Sequence, residues 1–258
     1  MTEFLAEELD RFCYWQRERE NIRLQKEVLE LPAPWTDDVI LQDFKFCQVY
    51  REDDRTTRWF KKHIREPLAD DRDVLMATVI FRWFNHIDTG RTLIEHDLLK
   101  NWDRKKAIDE ITKQPKWITG AYIIKTPFMA YEVVTDLRHT YLLRDANDIM
   151  TWANAGPGAM RGLNRLTGRE LGYSKRSHDW VGEMNDLYKV VEARLPFSIT
   201  MRNDMSYEMR EIEGGLCEFD KYSRIVKGEG RTRSVYKHNN LPMIEDLIEG
   251  ESKYGKSE

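Results

Sequence analysis

Apolar residues recur at three- and four-residue spacing along most of this 258-residue chain, and alternating stretches are scarce, so the pattern predicts a mainly α fold. Residues 2–31 read as one long helix, with Phe4, Phe12, Trp15, Ile22 and Leu29 along a buried stripe. PAPW at residues 32–35 breaks it, because proline lacks the N–H that a helix interior needs. Thr36 is placed to cap a second helix reaching about Tyr50, with Asp37 and Asp38 suiting the positive end of its dipole. A strongly apolar helix over Val74–Phe84 ends in RWFN, and Asp88-Thr89-Gly90 reads as a turn. Residues 92–102, 104–113 and 129–144 read as further helices, whereas ITGAYIIKTP at 118–127 fits a strand or a helix entrance equally well. Ser177 is placed to cap a helix ending near Arg194. Residues 204–222 form the last clear helix, with Gly214 and Gly215 as an interruption. No repeat or low-complexity linker divides the chain. The expectation is one helical domain over residues 1–238, with the option of two lobes flanking a cleft, and an acidic, flexible tail over 239–258.

The stretch AGPGAMRGLNRL, residues 155–166, stands out from this pattern. Gly156 and Gly158 bracket Pro157, and glycine tolerates positive φ and close backbone approach. Met160, Leu163 and Leu166 then mark a helix face, while Ile149, Met150 and Trp152 suggest a short helix before the turn. A helix–hairpin–helix of this kind offers backbone N–H groups and a positive dipole end to a phosphate. Arg161 and Arg165, four apart, would join it. The same residues also fit an ordinary helix corner with surface arginines.

Composition narrows the classes. Hydrophobic residues make up 41% and include eight Trp and ten Phe, so a sizeable core is available. A net charge of −4 argues against a nonspecific DNA coat. Basic residues nonetheless gather locally: Arg161, Arg165, Arg169, Lys175 and Arg176 face only Glu170, and the loop KGEGRTR adds Arg231 and Arg233. Cys13, Cys47 and Cys217 form no metal-binding spacing, so no structural metal is expected and a reducing, cytoplasmic setting fits. The N-terminal Glu3, Glu7, Glu8 and Asp10 do not resemble a signal peptide, and no apolar run reaches membrane-spanning length. GESKYGKS at 250–257 matches the phosphate-loop pattern, but the strand and helix that would aim its N–H groups find no room around it, which argues against a kinase site.

Taken in order, ILQDFKFCQVYREDDRTTRW, FRWFN, GAYI, GPGAMRGLNR and LCEFDKYSR resemble the helical proteins of phage thymine hypermodification. These are the alpha-glutamyl/putrescinyl thymine pyrophosphorylases, which act as amino acid:DNA transferases. They are related to the helical domain of 5-hydroxymethyldeoxyuridine DNA kinases and, more distantly, to helix-hairpin-helix DNA glycosylases. The resemblance implies a glycosylase-like helical fold and a location in the cytoplasm of an infected bacterium. It also implies DNA bearing a pyrophosphorylated 5-hydroxymethyluracil that is flipped into a pocket. An amino acid or polyamine would displace the pyrophosphate. The lysine of lyase-type glycosylases is replaced here by Met160, which disfavours Schiff-base strand cleavage, whereas Asp179 falls near the place of their catalytic aspartate.

On that reading Arg51, Arg55, Arg58 and Arg82 are candidates for holding pyrophosphate through bidentate contacts, and Asn85 for reading a uracil edge. Pairing of the arginines with Glu52, Asp53 and Asp54 is the competing explanation. Glu218 and Asp220 are candidates for accepting the amine's proton, with Lys221 as a phosphate or carboxylate contact and Arg224 for an amino acid's carboxylate. Cys217 fits a small buried residue better than a nucleophile on the pyrimidine ring. Gly156, Gly158, Arg161, Arg165, Arg231 and Arg233 are the expected DNA contacts. No cofactor is legible, although a divalent metal on pyrophosphate fits the chemistry. A non-catalytic DNA-binding module beside a separate kinase and a monofunctional glycosylase are the rival readings.

Overall fold

The computed structural model describes residues 1–95, 127–196, 199, 201–202 and 205–230. The described residues are mainly helical. Segments 104–113 and 118–126, Arg231, Arg233, the acidic tail and GESKYGKS lie outside them.

Two compact units are formed. The first joins residues 1–51 to 153–230. Its helices are α1 (Ala6–Arg23) and the short α2 (Val39–Asp43). In the second, α3 (Arg55–Phe60), α4 (Val74–Phe84), α5 (Ile87–Glu95) and α6 (Pro127–Leu137) fall within residues 52–152. The first unit resumes with α7 (Pro157–Thr167) and α8 (Trp180–Arg194), then a two-stranded antiparallel ribbon of β1 (Met201–Arg202) and β2 (Met205–Ser206), and ends with α9 (Met209–Val226).

The first unit is assembled around α9, which packs on α1, α2, α7 and α8. Ile212, Leu216 and Phe219 of α9 are buried against Phe12 of α1, Leu163 and Leu166 of α7, and Met184, Leu187 and Val191 of α8. Phe12 meets Phe219 edge-on at 5.4 Å. Each fully buried side chain of this size contributes roughly 1.5–3 kcal/mol. The N-terminal segment is tied down as well, with the Leu5 N–H donating to the Leu166 carbonyl (2.7 Å) and the Thr2 N–H to Asp186 (2.6 Å). In the second unit, Phe81 of α4 stacks on Trp59 (5.5 Å) and Phe60 (4.9 Å) of α3, and α4 packs along α6.

Several sequence expectations are corrected. The helix after PAPW is capped by Asp38, whose carboxylate accepts from the Ile40 and Leu41 N–H groups, and it stops at Asp43. Residues 44–50 are irregular instead, with Phe44 extended and a bend at 49–50. Two long-range contacts hold them there. Buried Arg19 of α1 donates to the carbonyls of Phe46 and Cys47, and Phe46 joins Trp15, Ile22, Leu41 and Tyr222 in one cluster. Asp88, Thr89 and Gly90 lie inside α5, where Gly90 lets the helix press against Trp59 and Phe81. Gly214 and Gly215 pass without a break through α9. Asp179, not Ser177, caps α8.

Candidate functional site

The GPG stretch is built differently from the expected hairpin. Turns occupy residues 147–151 where a short helix was expected, and the Trp152 N–H donates to the Asp148 carbonyl (2.9 Å). Gly156 is the N-cap of α7 with extended backbone (φ −69°), and Pro157 takes the first helical position, where its missing N–H costs nothing. Neither Gly156 nor Gly158 has positive φ; the left-handed glycine here is Gly168 (φ 70°), which ends α7.

The glycines of α7 serve helix packing. A Cβ on Gly158 would collide with the Cys217 sulfur, and one on Gly162 with the Leu216 carbonyl. Four residues apart, they let α7 lie directly on α9. The Glu213 carboxylate lies nearest the place of a Gly156 Cβ, at 3.7 Å, and is itself paired with Arg210 (2.5 Å). The N-terminus of α7 therefore already has an anionic side chain beside it.

Positive charge collects instead in the middle of this helix pair. Asp220 of α9 is completely buried. It accepts from the Nε of Arg161 (2.8 Å) on one oxygen and from the Nε of Arg165 (2.9 Å) on the other. The Nε of Arg224, one turn along α9, lies 3.6 Å from the oxygen that Arg161 uses. Arg165 is buried and also donates from Nη2 to Glu229 (2.6 Å). Burial opposes its charge, but Glu229 and Asp220 hold its pKa above the ordinary arginine value. Arg161 and Arg224 are 40% and 38% exposed, and their Nη groups donate to no described residue. Two guanidiniums thus meet at one carboxylate oxygen with four NH₂ groups that donate to no described residue, while buried Arg165 spends Nε on Asp220 and Nη2 on Glu229. Three cations face two anions, and the surplus is open to solvent. Such an arrangement suits a phosphate or pyrophosphate, which accepts from arginine in bidentate fashion.

Two residues before Asp220 along α9, Glu218 is half-buried and accepts from the Cys47 N–H (3.0 Å) and from Lys221 Nζ (3.1 Å), both through Oε2. Its Oε1 has no described partner. Lys221 also lies over the Phe46 ring at 4.7 Å. Glu218 and Lys221 pair with each other three residues apart on α9, and segment 44–50 touches both, through the Cys47 N–H and the Phe46 ring. Cys217 is at the surface, contrary to the expected buried cysteine. The packing around its sulfur, with Glu213 and Glu218 nearby, pushes the thiol up to about 11, so it is protonated near neutrality and a poor nucleophile.

The remaining predicted positions are elsewhere. The Asp179 carboxylate accepts from the Gly182 N–H (2.9 Å) as the cap of α8. Arg51 belongs to the first unit, and Arg55, Arg58, Arg82 and Asn85 to the second. Glu52, offered as a partner for the neighbouring arginines, is taken by Arg65 (2.8 and 2.5 Å). Arg55 is exposed and has no described partner, and Arg58 is half-buried. Arg82 is buried: its Nε and Nη2 donate to Asp136, its Nη2 to Thr57 (3.0 Å) and its Nη1 to the Asn85 side-chain oxygen (2.6 Å). Asp136 and Glu229 escape sequence reasoning because neither lies in a motif. A lone acid among the buried residues Tyr131, Val133, Val134 and Leu137 is the one signal that marks Asp136.

Among the described residues no three His, Cys, Asp or Glu side chains are grouped to hold a metal ion, so they offer no cage for a divalent ion on pyrophosphate. No helix among them is long and apolar enough to cross a membrane. No curated protein and no solved structure is significantly similar to the chain. A family model described as the helical domain of 5-hmdU DNA kinase matches residues 6–127 and 106–232, which together take in most of the sequence. The chain belongs to this family of 5-hmdU DNA kinase helical domains.

Proposed function

We propose that the chain binds DNA containing 5-hydroxymethyluracil-derived bases and acts in thymine hypermodification, with the Arg161–Asp220–Arg224 cluster holding a phosphate or pyrophosphate. The observation that carries this reading is the pair of half-exposed guanidiniums on one buried carboxylate, Arg161 hydrogen-bonded to it and Arg224 in an ion pair at 3.6 Å, with Nη groups that donate to no described residue. The family supplies the substrate class. In the finer form of the proposal the chain is an amino acid:DNA transferase. The amine nitrogen attacks the exocyclic methylene, the C–O bond breaks, and its electron pair leaves with pyrophosphate, whose charge Arg161 and Arg224 receive. Before the attack, the ammonium form of the amine gives a proton to a carboxylate, which frees the nitrogen lone pair. Glu218 suits that role better than Asp220, because its Oε1 is unspent whereas both oxygens of Asp220 already accept from arginine.

A second reading, a non-catalytic DNA-binding module that accompanies a kinase, is favoured by one finding: the matched family is described as the helical domain of a DNA kinase, not as a transferase. One experiment separates the two. The protein is incubated with DNA bearing pyrophosphorylated 5-hydroxymethyluracil and a mixture of amino acids, and the nucleosides are analysed by mass spectrometry. An amine adduct that disappears in Glu218→Gln supports the transferase. Free base points to a glycosylase. Unchanged DNA together with retained binding supports the module. In parallel, Arg161→Ala and Arg224→Ala should each lower the slope of log affinity against log salt by about one, the signature of one lost phosphate contact. An unchanged slope in both variants removes this cluster from the DNA surface.

A further inference from the structure

The end of α4 carries a feature that the anion site does not explain. Trp83 is 69% exposed and Phe84 55% exposed, side by side, although most of α4 before them is buried. They are held on a rigid support. Asn85 ends the helix in the left-handed region (φ 49°), which asparagine tolerates, and its N–H donates to the Phe81 carbonyl (2.8 Å). Arg82 locks this cap from beneath through Asp136, Thr57 and Asn85, and its guanidinium lies over the rings of Phe60 and Phe81.

We infer that Trp83 and Phe84 form a stacking platform for an unpaired pyrimidine base, and that the Asn85 amide reads a carbonyl on its edge. Three observations favour a base over other occupants. Two exposed aromatic side chains offer a few hundred Å² at most, far below the roughly 1,200 Å² that a stable protein interface buries, but enough for one or two bases. An exposed cation lies close in the fold: Arg55 stands two residues before Thr57, which touches Arg82. The orientation of Asn85 is also fixed, because only its amide oxygen can accept from Arg82. Its NH₂ therefore points away from that bond and seeks an acceptor, and uracil-type bases carry two carbonyl acceptors. This inference takes DNA as the ligand from the proposed function, but it stands on the second unit alone.

The test is fluorescence anisotropy with the full chain, on a duplex containing one unpaired 5-hydroxymethyluracil and on the same duplex fully paired. Trp83→Ala and Phe84→Ala should each weaken binding to the first DNA about ten-fold and leave the second within about two-fold. Trp83→Phe should recover most of the loss, and Asn85→Ala should abolish the preference for an unpaired pyrimidine over an unpaired adenine. Wild-type affinity in both alanine variants, with normal helicity by circular dichroism, overturns the platform. So does a change confined to self-association in sedimentation, which would make this surface a protein contact. Arg161→Ala and Arg224→Ala act on both DNAs through the salt slope. Failure of the aromatic variants alone therefore rejects this inference and leaves the proposed function standing.

Discussion

Among the described residues each unit buries one aspartate completely, and the two are used in opposite ways. Asp136 in the second unit pairs with Arg82, which is itself buried. Arg82 spends Nε and Nη2 on it, and gives what remains to Thr57 and Asn85. The pair is closed and sits under aromatic rings. Asp220 in the first unit is shared by three arginines, of which only Arg165 is buried; Arg161 and Arg224 approach from the surface and keep their outer donors. The same residue types thus give a structural staple in one unit and an open cationic surface in the other. What decides is the ratio of guanidiniums to carboxylate and the exposure of each guanidinium, not the presence of arginine.

The comparison predicts unequal costs for the same substitution. Asp136→Asn leaves a buried guanidinium without its counter-charge, and should cost about 3–5 kcal/mol in denaturant unfolding. Asp220→Asn should cost less, roughly 2–3 kcal/mol, because Arg161 and Arg224 can turn to water and Arg165 keeps Glu229. Its second effect separates positioning from charge. The substitution makes the site more positive, so a purely electrostatic surface would bind DNA more tightly. If Asp220 holds the two guanidiniums in place, affinity instead falls several-fold. Equal stability losses in the two variants, or a rise in affinity for Asp220→Asn, would dissolve the distinction between staple and surface.

Helical periodicity made much of the fold legible, and Val74–Phe84 is recovered at both ends. Three of the differences share a cause. Gly90, Gly158, Gly162 and Gly215 all sit inside helices, pressed against a neighbouring side chain or backbone. In a lone sequence a glycine that permits close helix packing looks the same as one that permits a turn, and the local pattern at Gly90, Gly158 and Gly215 favours the turn. Residues 44–50 differ for another reason: their irregular course depends on Arg19 and Trp15, some 30 residues away, and no local pattern encodes that. The candidate site was half legible. Motif and charge counting pick out Arg161, Arg165, Glu218, Asp220 and Lys221, but they treat Arg161 and Arg165 alike. Only burial separates the exposed donor from the buried strut.

A third buried carboxylate sharpens the comparison at its other extreme, an acid with no arginine bound to it. Glu211 lies at the start of α9, where its Oε2 accepts from the Glu208 N–H (2.9 Å) in a reciprocal capping arrangement. Burial, with Glu208 close by, pushes its pKa up to about 8, while the charge of Arg210 opposes the shift only weakly because that arginine pairs with Glu213. The sign of the linkage follows. The folded state holds a proton on Glu211 that the unfolded chain releases near pH 4.5. The stability from this group is therefore fully present below about pH 4.5 and declines as pH rises towards 8. Glu211→Gln keeps an oxygen for the Glu208 N–H and cannot ionise. Part of the penalty on the wild type is relieved by loosening of the first turn of α9, so the gain should be about 1 kcal/mol, or a few degrees in melting temperature, at pH 8. At pH 4.5 wild type and variant should melt together. Melting curves across this range check the sign directly: a variant less stable than wild type at pH 8 would mean that Glu211 is ionised in the fold and held by a cation, as Asp136 and Asp220 are.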